Sequence, residues 1–208
     1  MLFRLIIVCA ISFSLLSCKK TESSETVQKS AEIVDGIPEF MLQGNIYEVN
    51  LRQYTEAGTF AAFAEHLPRL KEMGVQTLWF MPINPISKVD RKGTLGSYYA
   101  VQSYVDINPE FGTMDDWKAL VKKCHEMGFK VIIDWVANHT GADHSWLTTH
   151  PDFYVVDRET KKPLSPFDWT DVVKLNYENP ELRKAMVADM GYWLKATNID
   201  GFRCDVAM

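Results

Sequence analysis

From about residue 40 onwards the chain alternates short, densely apolar segments with longer stretches in which apolar residues recur every three or four positions. Gly44-Asn45-Ile46-Tyr47-Glu48-Val49-Asn50-Leu51 reads as a first strand, and Phe60 to Met73 as an amphipathic helix ended by Gly74, which takes a left-handed backbone without a steric penalty. Thr77-Leu78-Trp79-Phe80-Met81, closed by Pro82, is apolar without interruption, as in parallel strands buried on both faces. A loop rich in Gly, Pro, Ser and Tyr follows to Gly112. Thr113 then opens a helix, with Asp116 placed for a capping box and Trp117, Leu120, Val121 and Cys124 forming one stripe before Gly128. Lys130 to Trp135 is a third strand. Asn179-Pro180-Glu181 supplies an N-cap, a proline in the first helical position and an early carboxylate for a helix to about Thr197, with Leu182, Met186, Met190, Trp193 and Leu194 as its core face. Ile199 to Cys204 or Asp205 is a fourth strand.

Repeated strand–helix–strand units with buried parallel strands predict the α/β class, either a (β/α)8 barrel or an open sheet. An open nucleotide-binding sheet wants a Gly-rich turn after its first strand, and the sequence has none. The connection 138–179 is too long for an ordinary strand-to-helix loop, so it is expected to be an insertion with its own structure; Pro151, Pro163 and Pro166 argue against a long helix there.

At 208 residues, 47% hydrophobic and 24% charged, the chain can bury a sizeable core. A net charge of -5 without a basic stripe argues against nucleic acid as a partner. Six Trp and eight Tyr suit a carbohydrate cleft, although core packing explains most of them individually. Arg4, the apolar run Leu5 to Leu16 and Leu15-Leu16-Ser17-Cys18 read as a signal peptide (residues 1–17) that is too short to span a bilayer and ends in a bacterial lipobox. Cys18 is then the lipidated N-terminus, residues 18–40 hold a flexible tether rich in Thr, Glu, Ser and Lys, and the protein is exported and lipid-anchored to a bacterial membrane. A plain signal peptide on a secreted protein is the alternative. Cys124 and Cys204 are expected to be buried free thiols.

Strand alternation puts Arg203 and Asp205 on one face, and an Arg two residues before an Asp keeps a carboxylate ionised. Alone, the pair is more often a structural ion pair. A second buried strand, Val131-Ile132-Ile133-Asp134-Trp135-Val136-Ala137-Asn138-His139, also ends in polar residues. In a barrel both tips fall at the C-terminal face, where barrels carry their chemistry.

These two segments resemble the first two signature regions of the α-amylase family of glycoside hydrolases. Gly96-Ser97-Tyr98-Tyr99-Ala100-Val101-Gln102-Ser103-Tyr104 and Asn108-Pro109-Glu110-Phe111-Gly112-Thr113 extend the resemblance, which runs from about Gly44 to Met208. It implies that residues 41–208 are the N-terminal half, strands 1 to 4, of a (β/α)8 TIM barrel, with 138–179 as a domain B-like insertion. It further implies Asp205 as nucleophile, Arg203 as its support, His139 and Tyr99 as the residues holding the sugar at the cleavage subsite, and Asp134 as framework support that orients Arg203. Asn138 matches a position that often ligates calcium, and Asp168 and Asp171 could add oxygen ligands; solvated loop carboxylates are the expected reading of those two.

The implied activity is retaining hydrolysis of α-glucosidic bonds in starch or maltodextrin-type glucans. The general acid, a Glu after a fifth strand, is expected beyond residue 208, so the chain by itself is expected to be inactive. A non-catalytic glucan-binding lipoprotein and an α-glucan transglycosylase are the alternatives. Ala100 stands where many exo-acting members have an Asp, which points to an endo-acting, open cleft; Met208 and Lys174 also depart from the family's pattern. His139, His144 and His150 match no zinc spacing. Trp135 alternates away from Asp134 and is expected against helices, Trp146 is a candidate for a glycan groove, and His66 and His125 are expected to be solvated or partly packed. Helix capping accounts for Asp106, Asp115 and Asp116.

Overall fold

The computed structural model describes residues 33–42 and 44–206; the expected signal peptide, Cys18 with most of the expected tether, and Met208 lie outside the described residues. Four strands, β1 (Ile46–Val49), β2 (Thr77–Phe80), β3 (Lys130–Val136) and β4 (Gly201–Asp205), form one sheet in the order 1-2-3-4, every neighbouring pair parallel. The crossovers carry α1 (Phe60–Ala64), α2 (Leu67–Glu72), α3 (Met114–Glu126) and α4 (Pro180–Thr197). A short hairpin, Ile33–Val34 with Ile37–Pro38, and the one-turn helix Glu39–Leu42 precede them.

The strand order separates the two architectures left open by the pattern. A doubly wound sheet reverses its order and covers both faces with helices. Here the order never reverses, and Val49, Leu78, Phe80, Val131, Ile133 and Trp135, all on one face, are at most 1% exposed. They share one core with Phe63, Leu67, Leu70, Trp117, Leu182 and Trp193 from the helices. On the other face Ile46 is exposed, and Thr77, Trp79, Ile132 and Gly201 are only partly covered. Winding with helices on one side only is that of a (β/α)8 barrel, of which these strands form the N-terminal half. β2 is therefore not buried on both faces as its apolar run predicts: Leu78 and Phe80 face the helices, while Trp79 faces the barrel interior.

Local chemistry explains most element ends. Thr113 Oγ1 accepts from Asp116 N at 3.2 Å and Asp116 Oδ2 accepts from Thr113 N at 2.8 Å, the reciprocal capping box. Asn179 Oδ1 caps α4 by accepting from Glu181 N at 2.9 Å. The helix expected over 60–73 is broken in two, because Pro68 has no N–H to offer the carbonyl of Ala64; the chain steps over Glu65 and His66 and restarts with Pro68 in the first turn of α2. Gly74, at φ +79°, ends α2. Leu194, expected in the core, is 44% exposed, and Met190 is only half-buried, since Leu194 sits one position round the helix from the buried Trp193.

Segment 138–179 has structure of its own: His139–Gly141 pairs antiparallel with Val172–Lys174, and the short helices Trp146–Thr149 and Pro151–Phe153 lie between. It docks on the loop after β2, where Gly141 N donates to Val101 O at 2.7 Å and Asp143 Oδ2 accepts from Lys88 N at 2.8 Å and Gln102 Nε2 at 3.0 Å. Any side chain at Gly141 would collide with Ser87, so only glycine permits this approach.

Candidate active site

Register builds the centre of the site. Asp134 and Arg203 are partners across β3 and β4, so their side chains stand next to each other on the interior face, and the two-residue period places Asp205 on that face one step nearer the strand end. Asp134, whose side chain is fully buried, is the hub. Arg203 Nη1 donates to both of its oxygens at 3.1 Å, and Trp79 Nε1 and Tyr99 Oη each donate to Oδ2 at 3.2 Å. The same Nη1 lies 2.7 Å from Asp205 Oδ1, and the guanidinium sits 4.7 Å from the centre of the Trp79 ring. Arg203 is thus pinned from two sides, and it in turn pins Asp205. Asp205 Oδ2 has no protein partner among the described residues.

Asp205 opens into a cavity of about 410 Å³ whose wall includes Tyr99, His139, Trp169, Lys92 and Asp171. His139 is placed by a buried chain of hydrogen bonds: Trp193 Nε1 donates to Tyr104 O at 2.6 Å, and Tyr104 Oη reaches Val136 O at 2.7 Å and His139 O at 3.0 Å. Its ring meets that of Trp169 edge-on, with centroids 5.5 Å apart.

Burial dominates the protonation of the centre. It lifts the Asp134 carboxyl above its ordinary value against the opposing pull of Arg203 and Tyr99. Burial, reinforced by Asp134, raises the Tyr99 hydroxyl well above the usual phenol range, so Tyr99 stays a donor. Burial also lowers His139 although Asp205 and Asp171 favour its charge, and the imidazole is neutral at pH 7. A carboxylate oxygen open to a cavity, a guanidinium behind it and neutral hydrogen-bonding rings around it suit covalent attack on a polar substrate.

The structure brings Asp205, Arg203, Asp134, His139 and Tyr99 into one site. Asn138 stands beside it, half-buried, with Oδ1 3.3 Å from His139 Nδ1. Asp168 is exposed, but Asp171 is not the solvated loop carboxylate expected: it is 5% exposed and its Oδ1 is held by Lys92 Nζ at 3.0 Å, because the insertion folds back over the cavity. Calcium wants several oxygens around one point. Among the described residues no group of three or more His, Cys, Asp or Glu gathers in that way, and the Lys92 ammonium already sits on Asp171, so no step below runs through a metal.

The remaining candidates separate. His144 is buried against Tyr104 and Trp146, its imidazole lowered by burial to about 4, and His150 stacks on Phe153. Trp146 packs against Tyr104 and Phe153. Trp135 stacks on Tyr104 at 5.0 Å and reaches Met186 Sδ in α4, on the helix side as alternation requires. His125 does more than pack, since its Nε2 lies 2.7 Å from Asp200 Oδ2. Cys124 is buried, its thiol pushed up to about 12 by burial, but Cys204 is exposed: it lies on the edge strand β4, on the face opposite Arg203.

Three site residues escape the sequence reading: Trp79, Lys92 and Trp169. Trp79 sits in an apolar run that reads as core, and only its indole N–H, which a buried Trp must satisfy, hints at a polar partner. Lys92 and Trp169 lie in loops without a periodic pattern and meet the site through long-range contacts.

The family model described as "Alpha amylase, catalytic domain" matches residues 49–174 and 156–208. Alpha-amylase 3 of Dictyoglomus thermophilum is 31% identical over 186 residues, which cover 77% of this chain and 36% of that protein. The alpha-1,4-glucan:maltose-1-phosphate maltosyltransferase of Rhodospirillum rubrum is 34% identical over 168 residues, covering 71% of this chain and 24% of that protein. The crystal structure of an alpha-amylase from Lactobacillus plantarum superposes with a TM-score of 0.76 at 45% identity, over 79% of this chain and 38% of that one. The chain spans about a third of the length of the curated relatives it matches.

Proposed function

The chain belongs to the α-amylase family of glycoside hydrolases, and from that premise we propose that the complete protein cleaves α-glucosidic bonds in starch or maltodextrin-type glucans with retention of configuration. The observation that carries the proposal is the placement of Asp205, fixed through one oxygen by Arg203 while the other faces the cavity. Tyr99 and His139 hold the sugar there, the first by its ring face and the second by a neutral imidazole. Asp205 Oδ2 attacks the anomeric carbon and forms an ester as the glycosidic C–O bond breaks. The leaving oxygen takes its proton from a general acid, which the family resemblance assigns to a Glu on a later strand. Water, deprotonated by that same residue, then attacks the anomeric carbon and releases the Asp205 carboxylate. Arg203 pairs with the Asp205 carboxylate at the start and end of this cycle, and Asp134 orients Arg203.

Transglycosylation is the second reading, favoured by the maltosyltransferase among the relatives; it differs only in that a sugar hydroxyl replaces water in the second step. Maltoheptaose incubated with the complete protein separates the readings. A hydrolase releases only shorter sugars, with the α-anomer appearing first by proton NMR; a transferase also makes longer ones. Initial release of the β-anomer, or no cleavage, overturns the proposal. Export and lipid attachment at Cys18 complete it, and labelled palmitate incorporated by the protein but not by Cys18→Ser would support that part.

A further inference from the structure

Next to Trp169 in the cavity wall the chain keeps a phenylalanine that neither burial nor backbone preference asks for. Trp169 N donates to Pro166 O at 3.2 Å, closing a turn whose second residue, Phe167, has φ +54°. Turns with positive φ at that position are dominated by Gly, Asn and Asp, and a left-handed backbone is strained for a bulky residue. Burial does not offset this, because Phe167 is 67% exposed. Docking of the insertion does not need it either, since the bonds of Gly141 and Asp143 to the loop after β2 already provide that. Strain of this kind, kept without a structural return, points to a contact made with something else.

Its neighbours indicate what. The Phe167 ring lies 4.9 Å from that of Trp169, and Trp169 meets His139 at 5.5 Å. Trp169 and His139 both line the cavity into which Asp205 opens, so the rings form a strip leading from the nucleophile out over the insertion. Beside them on the same wall stand the Asp171 carboxylate and the Lys92 ammonium. Flat apolar faces next to charged hydrogen-bonding groups match a pyranose, whose C–H face is apolar and whose rim is hydroxylated. We propose that Phe167 and Trp169 form a stacking subsite for the glucosyl unit adjoining the one that Tyr99 and His139 hold, an inference that rests on the function proposed above.

The test compares kcat/KM of the complete protein on maltotriose and maltoheptaose. Phe167→Ala is expected to lower the preference for maltoheptaose by roughly three- to tenfold, the size of one lost aromatic contact, and Phe167→Tyr to retain it. Phe167→Gly, which relieves the strained backbone, is expected to show the same loss of preference with no drop in thermal midpoint. Unchanged preference in Phe167→Ala, or a midpoint lowered by several degrees in Phe167→Gly, overturns the subsite. If the wild-type protein cleaves neither sugar, it is the proposed function that fails; if it cleaves both and Phe167→Ala keeps the preference, only the subsite fails.

Discussion

Two carboxylates at opposite ends of the same sheet, Asp134 buried and Asp200 partly so, hold their charge on opposite terms. At the N-terminal ends of the strands, Asp200 Oδ2 accepts from Val131 N at 2.8 Å and lies 2.7 Å from His125 Nε2, while Oδ1 receives Lys130 Nζ at 2.8 Å. Burial works against that charge, but His125, Lys130 and the Val131 N–H outweigh it and hold the carboxyl below its ordinary value. At the C-terminal ends Asp134 also has a cation and two further donors, yet there burial prevails and the carboxyl is held above its ordinary value. Asp134 is the more deeply buried of the two, its side chain 0% exposed against 10% for Asp200, and it also shares its cation. Asp200 has Lys130 and His125 to itself, whereas Arg203 is divided between Asp134 and Asp205, and Asp205 keeps an oxygen free for a ligand. One end of the sheet uses its electrostatics for the fold; the other holds a carboxylate ready for chemistry at some loss of stability.

The largest expected effect separates the ends by activity. Asp205→Asn in the complete protein should lower kcat on maltoheptaose by ~10⁴-fold or more while moving the urea midpoint little; a variant that instead lost stability with activity intact would erase the distinction. Arg203→Lys comes next, with kcat/KM expected to fall by about 10²-fold, since a point charge cannot keep the planar contact with the Trp79 ring while bonding both carboxylates. Asp200→Asn should do the reverse, lowering unfolding free energy by about 2 kcal/mol in urea titration and leaving kcat/KM per folded molecule unchanged. The smallest effect is in pH. The carboxyl of Asp200 is depressed in the folded state, so its contribution is present above the unfolded value, near about pH 4, and is lost as pH falls through the folded value. The difference in urea midpoint between wild type and Asp200→Asn should therefore shrink as pH falls from about 5 to about 3; a difference unchanged over that range would assign the stabilisation to packing instead.

The same contrast marks what could be read from the sequence. The strands and the capped helices were legible because period and caps are local: Thr113 with Asp116, Asn179 with Pro180, and Gly74 each announce an element end within a few residues. Arg203, Asp205 and Asp134 were legible because strand alternation and the strand-end position define one face. The partners of Asp200 were not, although Lys130 and His125 are plain in the sequence, because 70 and 75 residues separate them from it. Asp171, Lys92 and Trp169 were hidden for the same reason: the insertion folds back over the loop after β2, and no spacing rule encodes that return. Cys204 misled because a thiol is usually buried, whereas here it lies on the edge strand of the sheet, beside the fully buried Trp135.

The central claim is that Asp205, and no other carboxylate, forms the bond to the sugar. Incubating the complete protein with 5-fluoro-α-glucosyl fluoride, digesting it and mapping the modified peptide by mass spectrometry tests this directly. The account predicts one glucosyl ester on Asp205, absent from Asp205→Asn. A label on Asp134, Asp171 or any other side chain, with Asp205 unmodified, would contradict it.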